Sequence, residues 1–218
     1  MASNKKVSDN FHYKNAQKLN KNFMYKNLKR SNCYDCDFSG SNFDYTSLRG
    51  AHLKSCNFFE CSFKFAEFVG TNLKKSRFKK AKFDNVVFEG VNLDGVDFNS
   101  AEFVNTIFIG TDITKAKNLN VKDKGITIYD EMPKLKISEA LTHAVNSAMS
   151  NENIKEARVL DTKEGKINSI SMIKLLENFD EEILIKGLNK LEKELDKDFC
   201  TLSYIIKSLQ SYKEQELI

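Results

Sequence analysis

Residues 51–90, broken after every fifth residue, read AHLKS-CNFFE-CSFKF-AEFVG-TNLKK-SRFKK-AKFDN-VVFEG. The third position of every block is Leu or Phe, and the first is always small. Extended outward, the central series runs Phe23, Leu28, Cys33, Phe38, Phe43, Leu48, Leu53, Phe58, Phe63, Phe68, Leu73, Phe78, Phe83, Phe88, Leu93, Phe98, Phe103, Phe108, Ile113 without a slip. Two residues earlier, from Ser31 to Thr111, stands a Ser, Thr, Ala, Cys or Val each time. A helix would repeat its apolar residues every 3.6 positions and a half-buried strand every two. A period of five fits neither, so the chain must turn at regular intervals.

A longer period overlies the first. Phe23, Phe43, Phe63, Phe83 and Phe103 lie twenty apart, as do Phe38, Phe58, Phe78 and Phe98, and Leu53, Leu73 and Leu93. Gly50, Gly70, Gly90 and Gly110 recur at the same interval. A glycine at constant phase marks a corner with positive φ. Four five-residue sides per coil account for all of these together, with like side chains stacked from coil to coil. Repeats of this kind bury their apolar face only by stacking on neighbours. The interior is therefore expected to be filled, with no cavity for a ligand. Coils at the usual strand spacing of about 4.8 Å give nearly five turns and a rod of roughly 20–25 Å.

Ala51–Ser55 and Ala81–Asn85 resemble the pentapeptide-repeat family, whose motif is approximately A-(D/N)-L-x-x. The resemblance spans about residues 21–117. It implies an all-β solenoid, a right-handed quadrilateral parallel β-helix, with the central and the small residue both facing inward. Lys21 and Lys26 stand where small residues are expected, and Asn118 where an apolar one is, which marks the ends. The reading is an N-terminal tail and cap at 1–20, the solenoid at 21–118, a linker at 119–136 and a C-terminal α-helical bundle at 137–218. Ile126–Tyr129 is either a short strand or extended linker.

In the last region Ile137, Leu141, Ala144, Val145 and Ala148 form one helical stripe, with Ser138 as N-cap. Shorter helices are expected near 153–160 and 170–178. Asp180 caps a helix carrying Leu184, Leu188, Leu191 and Leu195, and a final helix bears Leu202, Ile205, Ile206 and Leu209. The Leu184–Leu195 stripe is expected to pack within the chain, with homodimerisation as the alternative. The bundle is a candidate cap for the open solenoid end.

Composition excludes several functions. No apolar run approaches the 18 or so residues of a membrane span. The first ten residues hold no apolar leader, which with five cysteines predicts reduced thiols in the cytoplasm. Residues 11–118 carry 17 Lys and Arg against 11 Asp and Glu, and residues 119–218 carry 15 against 18. Neither balance is that of a dedicated nucleic-acid binder. The run from Lys74 to Lys82 has a structural explanation. At twenty-residue spacing Lys74 faces Asp94, Arg77 faces Asp97, Lys82 faces Glu102, Lys80 faces Glu60, and Lys64 lies between Asp44 and Asp84. Such cross-rung pairs stabilise a sheet modestly. Lys54, Lys74, Lys75 and Lys79 form the candidate partner surface, and Lys54, Lys75 and Lys79 have no such counterpart.

No phosphate loop, nucleophile elbow or metalloprotease motif is present. His12, His52 and His143 have no partner at a catalytic spacing. Cys36 and Cys56 should stack in adjacent coils with Cys61 nearby, but zinc needs four converging ligands and Cys200 is in the other region. No catalytic residue, metal or cofactor is expected. The chain reads as a non-catalytic scaffold for a protein partner that the sequence does not identify. The resemblance adds an alternative, because some members of the family imitate DNA and protect gyrase or topoisomerase IV. The basic balance of residues 11–118 disfavours it.

Overall fold

A chain that turns a corner every fifth residue needs a backbone conformation that bends sharply at that phase. In the computed structural model, which describes residues 10–162, 164–195 and 201–218, every fifth residue from Asn15 to Gly110 has φ between +47° and +68°. This left-handed conformation disfavours side chains with a Cβ, yet Tyr25, Arg30, Phe65 and Lys75 adopt it as the glycines do. What holds them there is the ladder between coils. Asn57 N–H donates to the Cys36 carbonyl below and Phe58 N–H to the Arg77 carbonyl above, both at 2.8 Å.

The chain divides into two compact units, Met1–Glu131 and Met132–Ile218. The first is a parallel β-solenoid of about six turns. One face carries β1 (His12–Lys14), β2 (Asn32–Tyr34) and β3 (His52–Lys54). A second carries β4 (Ser62–Lys64), β6 (Lys82–Asp84) and β8 (Glu102–Val104). A third carries β5 (Glu67–Val69), β7 (Val87–Glu89), β9 (Thr106–Ile109) and β10 (Ile126–Tyr129). Every pair is parallel and offset by twenty residues, as in Phe63↔Phe83 and Phe83↔Phe103. The fourth side is joined through isolated bridges such as Asn57↔Arg77 and Arg77↔Asp97.

Inside, like stacks on like. Ring centroids are 4.8–5.2 Å apart from Phe23 through Phe43, Phe63 and Phe83 to Phe103. They are 4.8–5.5 Å apart from Phe38 through Phe58 and Phe78 to Phe98. Leu53, Leu73 and Leu93 are buried along another side. A further ladder joins Phe68, Phe88 and Phe108 at 4.7 and 4.6 Å. Neighbouring ladders meet edge to face, as Phe63 and Phe78 do, and offset-stacked and T-shaped rings are both favoured arrangements.

The small inward position has a second duty. Ser41, Thr71, Ser76, Thr106 and Thr111 each donate a hydroxyl to the carbonyl 23 residues earlier, at 2.6–3.3 Å. The thiols of Cys56 and Cys61 make the same bond, to Cys33 and Phe38. These cysteines act as serine equivalents. Cys33, Cys36, Cys56 and Cys61 are all free and buried, while Cys200 lies outside the described residues.

Both solenoid boundaries differ from the sequence reading. Residues 12–20 are not a tail, because β1 adds a coil below β2. Phe11, where a small residue is expected, closes that end by packing on Tyr13, Phe23 and Phe38 at 5.0–6.0 Å. Residues 119–131 are not linker. The chain leaves the repeat at a 3₁₀ turn, Ile113–Lys115, and returns as β10, which pairs with β9 still twenty residues out of step. Gly125 permits this return: a Cβ there would sit 1.9 Å from the Phe103 carbonyl oxygen.

Among the described residues the second unit packs five helices, α1 (Glu139–Ala148), α2 (Glu152–Ala157), α3 (Ser169–Asn178), α4 (Glu181–Glu194) and α5 (Leu202–Glu214). Ser138 caps α1 and Asp180 caps α4 through hydrogen bonds to Leu141 N–H and Ile183 N–H. Arg158, at φ 56°, ends α2 in a left-handed turn. Helix α4 is central and packs on α1, α3 and α5. Gly187 lets α5 approach it closely, since a Cβ there would meet Leu209 Cγ at 2.7 Å. Glu192 on α4 accepts hydrogen bonds from Ser147 and Ser150 beside α1 at 2.7 and 3.0 Å. No helix among the described residues is long and apolar enough to cross a membrane.

Three outcomes are expected. Phe63→Ala empties the middle of the Phe23–Phe103 ring stack and should cost about 3–5 kcal/mol in denaturant unfolding followed by far-UV circular dichroism. Gly125→Ala should release the β10 rung, read as faster amide exchange at Thr106 and Gly110, whose N–H groups donate to Gly125 and Tyr129; unchanged exchange would contradict the crowding. The thiols should resist alkylation in the folded chain. Burial is the main cause that pushes Cys33, Cys56 and Cys61 up to about 12, so all three stay protonated at pH 8. A raised pKa contributes stability that is complete below the unfolded value near 9.0 and is lost as pH rises toward 12. Rapid labelling of Cys56 or Cys61 at pH 8, located by mass spectrometry, would refute this.

Candidate interaction surface

With the first and third positions of each pentad facing inward, the second, fourth and fifth form the outer surface. Successive coils arrange these residues in columns twenty residues apart, so a column's chemistry is read directly from the sequence. The sheet β1–β2–β3 carries His12, Asn32 and His52 in one column and Lys14, Tyr34 and Lys54 in the other. The sheet β4–β6–β8 carries Ser62, Lys82 and Glu102 beside Lys64, Asp84 and Val104.

The charge ladders form in part. Lys74 reaches Asp94 at 2.6 Å, Lys80 reaches Glu60 at 3.2 Å and Lys64 reaches Asp84 at 3.4 Å. The hydrogen bond from Lys74 holds the Asp94 carboxyl below its usual range. Arg77 with Asp97 and Lys82 with Glu102 do not close into ion pairs, although each pair occupies facing positions. Asp97 instead accepts from Asn99 N–H at 3.0 Å and from Asn118 Nδ2 at 2.7 Å. Asp44 is likewise engaged by Ser62 Oγ and Lys64 N–H. Burial raises the pKa of Asp37, but bonds from Ser39 and Asn57 outweigh it and leave the carboxyl lowered. The three ion pairs lie on the surface, and such pairs contribute little to stability.

The four lysines of the candidate partner surface do not form one cluster. Lys54, Lys74 and Lys75 share a side of the rod, with Lys74 one rung above Lys54, while Lys79 is exposed on the adjoining side. Lys75 occupies a corner at φ 61° beneath Gly95. Among the described residues, Lys54, Lys75 and Lys79 have no carboxylate within ion-pair distance, whereas Lys74 does. His12 and His52 lie in one column of this same side, and His143 is exposed on α1 in the other unit. Leu184, Leu188, Leu191 and Leu195 are buried within the helical unit, at most 6% exposed. That stripe is used inside the chain.

Sequence reasoning passed over the outward aromatics. Tyr25, Tyr45 and Phe65 stack along one corner at 4.9 and 5.5 Å, with Lys64 Nζ 5.8 Å from the Phe65 ring. Their twenty-residue spacing was available as a signal, but at a phase where glycine is expected. Tyr34 stands apart, 49% exposed, with no ring contact among the described residues.

The Pentapeptide repeats family model matches eight copies here, over residues 31–58, 56–95 and 81–117. The Rfr23 pentapeptide repeat protein of the cyanobacterium Cyanothece 51142 is a similar solved structure, at 16% identity and a TM-score of 0.38, covering 54% of this chain and 84% of that one. A pentapeptide repeat protein from the Arabidopsis thaliana thylakoid lumen matches at 20% identity and a TM-score of 0.24, covering 75% and 90%. QnrB1, a plasmid-mediated fluoroquinolone resistance protein, matches at 16% identity and a TM-score of 0.23, covering 57% and 84%. No curated protein matches the chain. The eight matched repeats coincide with the stacked coils, and the solenoid of this chain therefore belongs to the pentapeptide-repeat family.

Proposed function

We propose that this chain is a non-catalytic scaffold that binds a protein partner on the outer surface of its solenoid, with the helical unit as a second recruiting module. The observation that carries this reading is the filled interior. Ten phenylalanines, from Phe38 to Phe108, are almost wholly buried in continuous stacks, which leaves the outer columns as the part that differs from coil to coil. A ladder of this kind presents rigid side chains at fixed spacing, and rigidity lowers the entropy lost on association. Lys75 and Lys79 are exposed and without a carboxylate partner among the described residues, and so are available for contact. The cytoplasm, where free thiols persist, is the compartment this reading assumes. Protection of gyrase or topoisomerase IV by DNA mimicry would need an acidic surface, and residues 11–118 carry a balance of +6.

Affinity capture from nuclease-treated lysate of the source cells tests the proposal. The full chain should retain a protein that the Lys75→Glu, Lys79→Glu double variant loses, with both variants equally folded. Identical recoveries would remove this surface from consideration. In a gyrase supercoiling assay, with and without a quinolone, excess protein should change nothing; inhibition or protection would overturn the present reading in favour of the topoisomerase one.

A further inference from the structure

One side of the solenoid differs from the others in a way that the scaffold reading does not use. On β1–β2–β3 the outward residues are His12, Asn32 and His52 beside Lys14, Tyr34 and Lys54. No carboxylate occurs among the six; Asp35 stands at the corner next to Tyr34. The sheet β4–β6–β8 carries Asp84 and Glu102 at equivalent positions, and β5–β7–β9–β10 carries Glu67 and Glu89. Among the described residues Lys14 and Lys54 have no ion pair, in contrast to Lys64, Lys74 and Lys80. The next rung closes the patch, because Lys74 is held by Asp94 at 2.6 Å.

Between the two free lysines stands Tyr34. The corner aromatics Tyr25, Tyr45 and Phe65 cover one another's faces. Tyr34 is 49% exposed and lies on a parallel sheet, one rung from a lysine on either side. Rungs are about 4.8 Å apart, which puts Lys14 and Lys54 about 10 Å from each other along the column. Two uncompensated cations flanking an open ring match a ligand with spaced negative charges and a flat π-system between them. Single strands of nucleic acid have both, and stacking of bases on aromatic side chains with lysines along the backbone is how sequence-tolerant single-strand binders work. A duplex keeps its base faces inside its own stack and offers none to Tyr34. An acidic peptide would satisfy the lysines and leave the ring unused.

We infer that the β1–β2–β3 face binds single-stranded nucleic acid, with a base stacked on Tyr34 and the backbone on Lys14 and Lys54. The site is small, so binding is weak and sensitive to salt. Two phosphate contacts on a single strand give a slope of about −1.4 in log K against log salt.

Fluorescence anisotropy of the full-length chain with a labelled mixed-sequence 12-mer of single-stranded DNA tests the inference. Tyr34→Ala should weaken binding about tenfold, and Tyr34→Phe should leave it unchanged, because stacking needs the ring and not the hydroxyl. Lys54→Gln should weaken binding and flatten the salt slope by about 0.7, while Lys64→Gln, on a paired side, should do neither. Circular dichroism should show all four variants folded, since these side chains lie on the outside. No binding at low salt would overturn the inference. So would a Tyr34→Ala variant that binds like the parent, or equal affinity for the same sequence as a duplex or for a poly-glutamate peptide.

Discussion

The register between coils governs everything else in the solenoid. Each rung donates to and accepts from both of its neighbours at a register of twenty residues, and one residue of slip would turn every inward side chain outward. The backbone ladder alone does not set that offset, since any parallel pairing satisfies the same hydrogen bonds. The side chains set it. Phe stacks on Phe, Leu on Leu, and a hydroxyl or thiol at the small position reaches a carbonyl 23 residues back. In this environment the corner conformation, unfavourable for Tyr25 or Phe65 in isolation, is imposed by four sides that must meet.

This explains which parts were legible in advance. The central coils were, because inward positions admit few residue types and recur too often for chance. The ends were not, because a terminal coil has a neighbour on one side only and its inward positions relax. Tyr13 and Lys18 stand at the central phase of the first coil, where Lys18 Nζ lies over the Tyr13 ring at 4.3 Å. Phe11 violates the small-residue rule because it covers the end of the stack. At the other end Asn118 and Asp123 break the apolar series, which made the repeat seem finished. Ile128 is nevertheless in phase with Phe108, and β10 pairs accordingly. The twenty-residue spacing outlasts the five-residue one.

The outer surface was legible as columns and not as contacts. Spacing correctly placed Lys74 opposite Asp94, but it did not show that Asp97 would turn to the local N–H of Asn99. A carboxylate beside a corner has backbone N–H groups within reach, and a bond to a neighbouring N–H orders fewer side-chain rotors than an ion pair with a long cation. Short acidic side chains at such sites are therefore drawn into the turn. The helical unit shows the same limit. Its caps and its Leu184–Leu195 stripe follow from pattern, but the role of Gly187 does not. That depends on which helix comes closest to α4, a property of three-dimensional packing and not of period.

A filled interior also constrains where variation is tolerated. A core position in a solenoid touches the coil above and the coil below, so a change there disturbs two interfaces at once. An outward position touches little beyond its own column. Charge and aromatic character can therefore differ from side to side without altering the rod. The three sheets of this solenoid illustrate that freedom: one alternates in charge, one is partly apolar, and one carries lysines and an open tyrosine with no carboxylate among its outward strand residues. Stability does not require the last arrangement, since the same ladder and core persist beneath all three. The surface columns are thus where this chain's specificity must be sought, and their composition is what distinguishes one side of the rod from another.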